Sequence, residues 1–442
     1  MGESNGFSRR RFVAASSGLL VASGLSGAAF GRSDEPPRLA LQGGPKAVPA
    51  SPGKLVRWGE PEREQLSAML AQDSLFYWKG PRTGLLIERF RECCPARHIM
   101  TCSSGTAALH MAVAASGIGP GDEVITSPIS DIGTVIGIIY QQAVPVFADL
   151  VADTYNLDPA DVERKITPKT KAILPVHLCG NPCDMESLRA LADRRGLIVI
   201  EDCAQAWGAR YGDRPIGTIG HAACFSLQNS KHITCGDGGI VASSDDRVGP
   251  KLQAFGDKGM DRLGKDGLFH AFATNYRMSE PQAAVAAAQL ARLEGIASAR
   301  SRLGNLLTER IRDVPGVVPH GVRAEDRCVY WFYLLRVRPD RLRCDRAEFV
   351  KALAAEGAPA SAGYIPVPLY GNPVFRQHAF FAGRWPIKEL GLTTMDYAQV
   401  RCAEAESILA TGIRITIHEG MDEAYVAGIA DAVRKVAAHF AS

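Results

Sequence analysis

The chain has 442 residues, of which 46% are hydrophobic and 22% charged, and its formal net charge is +3 at pH 7. These are ordinary values for a soluble globular protein of about two or three domains. The charge gives no reason to expect a nucleic-acid partner, because the arginines are spread along the chain instead of forming a patch.

The 11 cysteines are an odd number and stand singly, except for Cys93 and Cys94. Cys179 and Cys183 are four residues apart, but no second pair at metal-ligand spacing accompanies them. We therefore predict no metal site. Most of these cysteines are interpreted as small buried residues of a chain that folds in the reduced state.

The N-terminal segment resembles a twin-arginine export signal. Arg9 and Arg10 stand in the run Ser-Arg-Arg-Arg-Phe-Val at 8–13, and a stretch rich in Ala, Gly and Ser follows at 14–30. This stretch is too short and too weakly apolar for a stable membrane span, and the small residues Ala28 and Ala29 suit a cleavage site. We predict a signal over residues 1–30 and a periplasmic or other extracytoplasmic location. The alternative is a disordered basic leader on a cytoplasmic protein.

The prolines of residues 31–52 predict an extended linker, and an α/β domain follows. Ser-Gly-Thr at 104–106 looks like a tight turn into a helix, where free N–H groups would suit a phosphate, although it is also an ordinary helix cap. Apolar runs at 123–126, 171–178 and 198–202 predict strands, with helical patterns between them. This alternation indicates a mainly parallel sheet covered by helices, in which ligands collect at the carboxyl ends of the strands.

Lys231 and Asp202 carry most of the functional interpretation. Asp202 ends a buried strand, and Lys231 follows an apolar run and precedes a glycine-rich turn. Alone, the lysine would be a surface charge and the acid a turn residue. Together, at the carboxyl ends of strands, they suit pyridoxal phosphate (PLP): the amine forms a Schiff base with the aldehyde, and the carboxylate keeps the pyridine nitrogen protonated.

The pattern changes after about residue 290. A strand is predicted at 330–337 and helices at 346–356 and 425–440, which indicates a smaller α+β domain. We place the large domain at 53–290 and the small C-terminal domain at 291–442. The loop at 364–370 is interpreted either as a substrate-side loop or as a proline-rich structural loop.

Five motifs in order make the chain similar to the DegT/DnrJ/EryC1/StrS family of PLP-dependent aminotransferases, from about residue 45 to the C-terminus. They are Ser-Gly-Thr at 104–106, Pro-Val-His-Leu at 175–178, Glu-Asp-Cys-Ala-Gln-Ala at 201–206, the Lys231 segment at 224–239, and Asn-Tyr-Arg-Met at 275–278. The resemblance implies the fold of fold-type I PLP-dependent transferases.

The resemblance also implies roles for single residues. Lys231 would bind the aldehyde and shuttle protons, Asp202 would pair with the pyridinium nitrogen, and Gln205 would contact the ring's hydroxyl side.

Further contacts implied by the resemblance concern the cofactor phosphate and the neighbouring subunit. Gly105, Thr106 and Ser226 would hold the phosphate. Asn275 would reach the cofactor of a neighbouring subunit, which implies a homodimer with shared active sites.

The chain departs from the family at Asp131, which stands about where relatives place an aromatic that stacks on the cofactor ring. An acid cannot stack, so either an isoleucine covers the ring or Asp131 contacts substrate or ring substituents. Asp237 replaces the commoner Glu in the glycine turn. His177 and His232 lie in family-like segments, and a structural role is expected for both.

These motifs favour an enzyme that moves an amino group from an amino acid, with glutamate expected, to a keto-sugar or related ketone. One alternative is another PLP reaction, a lyase or dehydratase. Lys231 argues against it, because sugar dehydratases of the family carry histidine there. The other is an exported, non-catalytic protein of this fold that binds or regulates. The predicted partners are a small-molecule amino donor and a keto acceptor, with no nucleic acid.

Overall fold

The computed structural model of the protein describes residues 38–49, 51–262, 264, 268–269 and 271–441. The predicted signal over residues 1–30 lies outside this range, as does the first part of the predicted linker. None of the helices in the described ranges has the length and apolar character needed to cross a membrane.

The strands and helices alternate through most of the described chain. The strands are β1 (His98–Cys102), β2 (Glu123–Thr126), β3 (Val144–Phe147), β4 (Thr170–Leu174), β5 (Ile198–Asp202), β6 (Arg210–Tyr211), β7 (Arg214–Pro215), β8 (Ala222–Ser226), β9 (Gly239–Ser243), β10 (Val317–Val318), β11 (Tyr333–Val337), β12 (Ala360–Ala362) and β13 (Gly412–Ile415). The α-helices are α1 (Glu60–Leu70), α2 (Pro81–Cys93), α3 (Gly105–Ala115), α4 (Gly133–Tyr140), α5 (Pro159–Lys165), α6 (Met185–Arg195), α7 (Leu252–Gly256), α8 (Glu280–Leu290), α9 (Leu293–Ile311), α10 (Arg346–Ala355), α11 (Pro373–Arg376), α12 (Pro386–Glu389), α13 (Ala403–Thr411) and α14 (Glu423–Phe440).

The main sheet has seven strands in the order β1-β9-β8-β5-β4-β2-β3. The neighbours from β8 to β3 run parallel, and β9 is antiparallel to both β1 and β8. Parallel neighbours need crossover connections, which α4, α5 and α6 supply between β2 and β5. The predicted mainly parallel sheet is therefore confirmed, and the carboxyl ends of β2, β4, β5 and β8 share one edge.

A second, four-stranded sheet in the order β10-β11-β13-β12 forms the smaller layer. Ile413 and Ile415 of β13 are buried in a second core, which this sheet shares with α9, α10 and α14. Leu334 of β11 belongs instead to the first core, which surrounds the main sheet. The small sheet therefore presents alternate side chains to two different cores, as the two-residue period of strands requires.

The chain beyond residue 290 contributes to both cores. Side chains between 369 and 409, among them Tyr370, Trp385 and Tyr397, pack into the core of the main sheet. The Ala-rich helix α8 ends at Leu290, and a second helix, α9, continues the chain from Leu293. The domain limits at 290 and 291 stay a prediction. The strands of the two sheets lie on either side of this limit in sequence, but apolar side chains from beyond it pack into the core of the main sheet.

Residues 38–49 are anchored, which differs from the extended linker that their prolines predicted. Leu39 and Val48 are buried in the second core. The carboxylate of Glu356 accepts a hydrogen bond from the amide of Ala40 at 2.7 Å. Burial of the two apolar side chains outweighs the preference of the prolines for free extended chain.

Candidate active site

A cavity of about 310 Å³ lies at the carboxyl-end edge of the main sheet. Six of the seven residues predicted for the site line it, and they come from the start of α3, the end of β5, and β8 with the loop that follows: Gly105, Thr106, Asp202, Gln205, Ser226 and Lys231. The parallel connections explain this, because each of these segments leaves or enters the sheet at the same edge.

Asn275, the seventh predicted residue, is not among the residues lining this cavity. Its Oδ1 accepts a hydrogen bond from Nε of Arg277 at 2.8 Å. Arg277 in turn forms an ion pair with Asp257, with an N···O distance of 3.2 Å. The role predicted for Asn275 concerns a second subunit, so it stays a prediction.

Lys231 is held in a buried position between two supports. Its backbone carbonyl accepts a hydrogen bond from the Arg57 guanidinium at 2.9 Å. Its Nζ lies 3.8 Å from the ring centroid of Trp331, a cation–π contact. Burial lowers the pKa of Lys231 to about 8, against the opposing charges of Asp202 and Asp131. The amine is therefore within reach of its neutral, nucleophilic form near physiological pH.

Asp202 faces the cavity from the end of β5. Its Oδ2 accepts a hydrogen bond from the Thr134 hydroxyl at 2.8 Å, and its Oδ1 accepts from the Ala204 amide at 3.1 Å. Ser130 supports Thr134 through a hydroxyl contact of 2.6 Å. Burial raises the pKa of Asp202, although these hydrogen bonds and the charge of Lys231 partly offset it. A cationic group in the cavity would stabilise this carboxylate.

The start of α3 forms a cradle for an anion. The Ser104 hydroxyl accepts a hydrogen bond from the Ala107 amide at 3.0 Å, so Ser104 is the N-cap of α3. A Cβ on Gly105 would lie 2.7 Å from Cβ of Ser226, and a Cβ on Gly133 would lie 2.7 Å from Oγ1 of Thr106. Only glycine keeps both approaches open, and the first amides of the helix have no acceptor within it. These features fit a phosphate group.

Gln205 is oriented by the chain on one side and by a tyrosine on the other. Its Oε1 accepts a hydrogen bond from the Cys179 amide at 2.9 Å, and its Nε2 lies 3.5 Å from the Tyr364 hydroxyl. Tyr364 lines the cavity, as does Trp331, whose Nε1 donates to the Ser230 carbonyl at 2.7 Å. Sequence reasoning assigned no site role to Trp331 or Thr134, and it left the loop that begins at Tyr364 open.

Asp131 lines the cavity and is exposed. Its Oδ1 accepts a hydrogen bond from the Gly133 amide at 2.8 Å, so the side chain folds back on the start of α4. The next residue, Ile132, is 42% exposed. The aromatic ring beside Lys231 comes from Trp331, in a different part of the chain.

His177 and His232 make contacts of a structural kind. Nδ1 of His177 accepts from the Cys183 amide at 3.0 Å, so Nε2 carries the proton and donates to Glu201 at 3.2 Å. Nε2 of His232 donates to the Val329 carbonyl at 3.1 Å. Both rings are buried, and neither lines the cavity.

The donor set of the cavity fits PLP. A buried amine of lowered pKa, a buried carboxylate that would gain from a cationic partner, and an anion cradle occupy three sides of one cavity. These groups match the aldehyde, the ring nitrogen and the phosphate of that cofactor.

The model of the DegT/DnrJ/EryC1/StrS aminotransferase family matches residues 58–434. GDP-perosamine synthase of Caulobacter vibrioides is 38% identical over 280 residues, which cover 63% of this chain and 75% of that protein. A dTDP-3-amino-3,4,6-trideoxy-alpha-D-glucose transaminase of Streptomyces venezuelae is 37% identical over 331 residues, 74% of this chain and 84% of that protein.

Solved structures are similar over most of the chain. The S. venezuelae protein DesV has a TM-score of 0.73 at 31% identity, covering 85% of this chain and 94% of its own. 3-Amino-5-hydroxybenzoic acid synthase has a TM-score of 0.77 at 27% identity, covering 88% of this chain and 99% of its own.

Proposed function

This chain belongs to the DegT/DnrJ/EryC1/StrS aminotransferase family, and we propose that it uses PLP to move an amino group from an amino acid, glutamate being expected, to a keto-sugar or related ketone. The observation that carries the proposal is the placement of Lys231 and Asp202 in one buried cavity. The similarity to the perosamine synthase and to the dTDP-sugar transaminase supports a sugar acceptor.

Each predicted residue has a task that its surroundings allow. Lys231 would hold the aldehyde, Asp202 the ring nitrogen and Gln205 the hydroxyl side of the ring. When bound, PLP would supply an electron-accepting ring and an aldehyde carbon that carries the amino group between the two half-reactions. Lys231 would take and return a proton at Nζ, which a pKa of about 8 permits near neutral pH. Trp331 covers this amine and keeps water from one side of it.

The phosphate would lie in the cradle at the start of α3. Gly105 and Thr106 offer the first amides of the helix, and Ser226 offers its hydroxyl from the end of β8. This contact would fix the position of the ring relative to Asp202.

The proposal is tested by replacing Lys231. Lys231→Ala should lower amino transfer to background with the fold intact, and borohydride should fix PLP to the peptide that contains Lys231 in the unmodified protein. Lys351→Ala removes an equal charge from an exposed position on α10 and should change neither result. Labelling of another lysine, or turnover by Lys231→Ala, would overturn the assignment.

The acceptor is identified by a screen. Nucleotide-linked keto-sugars, free keto-sugars and cyclic ketones are offered with glutamate as the donor, and the amino products are separated and weighed by mass spectrometry. A lyase or dehydratase would release products without transferring nitrogen from labelled glutamate. A non-catalytic protein of this fold would bind PLP and show neither reaction.

We also propose a homodimer with shared sites. Phe272, three residues before Asn275, is fully exposed in the single chain, and Tyr140, which like Tyr276 packs against the ring of His110, is 56% exposed. A second copy that covers them would bring Asn275 towards its partner's cavity. Mixing inactive Lys231→Ala with inactive Asn275→Ala subunits should restore part of the activity. Subunits that exchange without restoring activity would argue against shared sites.

The twin-arginine interpretation remains a proposal for location. Changing Arg9 and Arg10 to lysine should retain the protein in the cytoplasm, whereas the unmodified chain should be found outside it and shortened near Ala29. Uncleaved protein found only in the cytoplasm would contradict export, and it would favour a nucleotide-linked acceptor made there.

A further inference from the structure

Arg414 lies beside Trp331 of the cavity and has no polar partner among the described residues. It lies on β13 between Leu334 of β11 and Ser361 of β12. Its neighbours in sequence turn into the second core, so Arg414 lies on the opposite face, which it shares with Leu334 of the first core. Within the described ranges, its guanidinium forms no hydrogen bond or ion pair.

Another arginine of the same sheet shows what a structural role looks like there. The guanidinium of Arg336, on β11, donates to the Thr411 hydroxyl at 2.9 Å, to the Ala152 carbonyl at 2.9 Å, and to the Ser407 hydroxyl at 2.7 Å. It also forms an ion pair with Glu404. Every side of that guanidinium is occupied, which is what a half-buried charge requires. Arg414 is half-buried and has none of this.

The contacts that Arg414 does make are with two aromatic rings, of which Trp331 lines the cavity and Phe332 is buried beside it. Its Cζ lies 4.7 Å from the ring centroid of Phe332 and 6.0 Å from that of Trp331. Nζ of Lys231 lies 3.8 Å from the same Trp331 centroid, so the two cations are at most about 10 Å apart. The ring of Tyr364, which lines the cavity, meets Trp331 edge-on at 5.6 Å between centroids.

The charge of Arg414 reaches the cavity. Burial raises the pKa of Tyr364, and the carboxylates of Asp131 and Asp202 raise it further, whereas Arg414 opposes them. Neither carboxylate forms an ion pair with Arg414 within the described ranges. An arginine whose donors have no partner among the described residues therefore lies beside Trp331 of the cavity.

We propose that Arg414 binds a carboxylate of the substrate. A guanidinium offers donors in a planar fork that matches a carboxylate bidentately, and the aromatic faces of Phe332 and Trp331 hold that plane in place. The inference rests on the proposed function, in which the donor is an amino acid that brings its carboxylate to Lys231. The same chemistry would serve a carboxylate on the keto acceptor, and the two sources are separated by experiment.

The test compares three variants of the full chain loaded with PLP. Arg414→Gln removes the charge, Arg414→Lys keeps it without the fork, and Arg338→Gln removes an exposed arginine just beyond β11, away from the cavity. Calorimetry measures the affinity for 2-oxoglutarate, which does not require turnover. Rapid mixing measures each half-reaction, first with glutamate and then with keto acceptors that carry or lack a carboxylate.

Arg414→Gln should weaken 2-oxoglutarate binding and raise the glutamate KM by about tenfold to a hundredfold, the loss of a charge-assisted hydrogen-bonded pair. Arg414→Lys should show a smaller loss, and Arg338→Gln none. Loss confined to acceptors that carry a carboxylate would support the inference with the acceptor as the source. Unchanged affinity for 2-oxoglutarate and for both acceptor classes in Arg414→Gln would overturn it.

Two further outcomes keep the inference separate from the proposed function. If the wild type neither binds 2-oxoglutarate nor transfers nitrogen, the proposed function fails first. Circular dichroism and the unfolding midpoint check each variant, and if Arg414→Gln does not fold, the inference is decided by Arg414→Lys, which must then show the loss or overturn it.

Discussion

Glu201 and Asp202 are adjacent acids on one strand, both fully buried, and they point to opposite faces of the sheet. The carboxylate of Glu201 accepts hydrogen bonds from the amides of Gly217 at 2.8 Å and Ile219 at 2.9 Å, and also from Gly220 and His177. Asp202 accepts from one amide and one hydroxyl, and its other side faces the cavity.

The pKa values of the two acids move in opposite directions for the same burial. Burial favours the neutral form of Glu201, but the hydrogen bonds from His177 and from the amides of Gly220 and Gly217 outweigh it, and the pKa is lowered. For Asp202, burial wins and the pKa is raised. The comparison teaches that a fully satisfied buried acid belongs to the scaffold, whereas a partly satisfied one at a cavity marks the chemistry.

The largest effect is expected on the cavity side. Asp202→Asn should lower turnover by roughly a hundredfold to a thousandfold, because an amide cannot stabilise a cationic ring nitrogen, while Asp202→Glu should lose less. Steady-state kinetics with saturating PLP measure the difference. The free energy of unfolding should hardly fall in Asp202→Asn, because burial disfavours the ionised carboxylate that the substitution removes. Equal turnover in the Asp202→Asn and Asp202→Glu variants would show that the charge of Asp202 has no part in the chemistry.

On the scaffold side, the expected loss is in folding. Glu201→Gln places an NH₂ group against backbone donors, and the free energy of unfolding should fall by about 3 kcal/mol. Urea denaturation at neutral pH measures this, and Glu309→Gln, at an exposed position of α9, serves as the matched control.

The pH dependence of stability separates the two acids further. Because the folded-state pKa of Glu201 is lowered, its contribution is present above the unfolded pKa and is lost as pH falls through the folded one. Glu201→Gln should therefore be least harmful in acid. A turnover defect in Glu201→Gln that exceeds its loss of stability would show that the scaffold acid takes part in the chemistry.

A smaller effect concerns the rate at which PLP attaches to Lys231 in the cofactor-free protein. The neutral amine is the reactive form, so below the pKa of about 8 the rate should rise with pH, by about tenfold per unit, and it should level off above that value. Stopped-flow absorbance follows the attachment. Trp331→Leu removes a group that favours the cation and should shift the profile to lower pH; an unchanged profile would contradict the cation–π contact.

The smallest expected effect is at the hydroxyl that joins Asp202 to α4. Thr134→Val removes one hydrogen bond to the carboxylate and should cost about 1 kcal/mol of transition-state stabilisation. It should also raise the pKa of Asp202 further. Thr134→Ser restores the hydroxyl and should restore the rate; a serine variant as slow as the valine one would assign the effect to packing.

Much of the site was predictable because its chemistry is local in sequence. Asp202 ends an apolar strand and Lys231 precedes a glycine turn, so strand patterning and the parallel topology placed both at one edge. The cradle at Gly105 followed from a helix start. The distinct roles of Glu201 and Asp202 were less accessible, because hydrogen-bond satisfaction depends on amides some sixteen to nineteen residues away.

Trp331 was not predictable from the same patterns. The aromatic run at 330–333 predicts a strand, but the strand begins only at Tyr333, and Tyr330 has φ of 38° in the left-handed region. The irregular backbone breaks the alternation of faces, so the direction of the Trp331 side chain cannot be derived from its place in the run. The anchoring of Leu39 and Val48 was not predicted, because the prolines of residues 31–52 indicate extended chain, whereas the burial of these two side chains depends on a distant part of the chain.

The Trp331 ring over Lys231 has a consequence for the order of events during synthesis. Residues 104–237 contain the amine, the acid and the anion cradle, but the covering ring lies about a hundred residues later. At roughly 5 to 20 residues per second, roughly 5 to 20 seconds pass between the synthesis of Lys231 and that of Trp331. The cavity wall beside the amine can therefore close only after this later segment has been made and has packed against the main sheet.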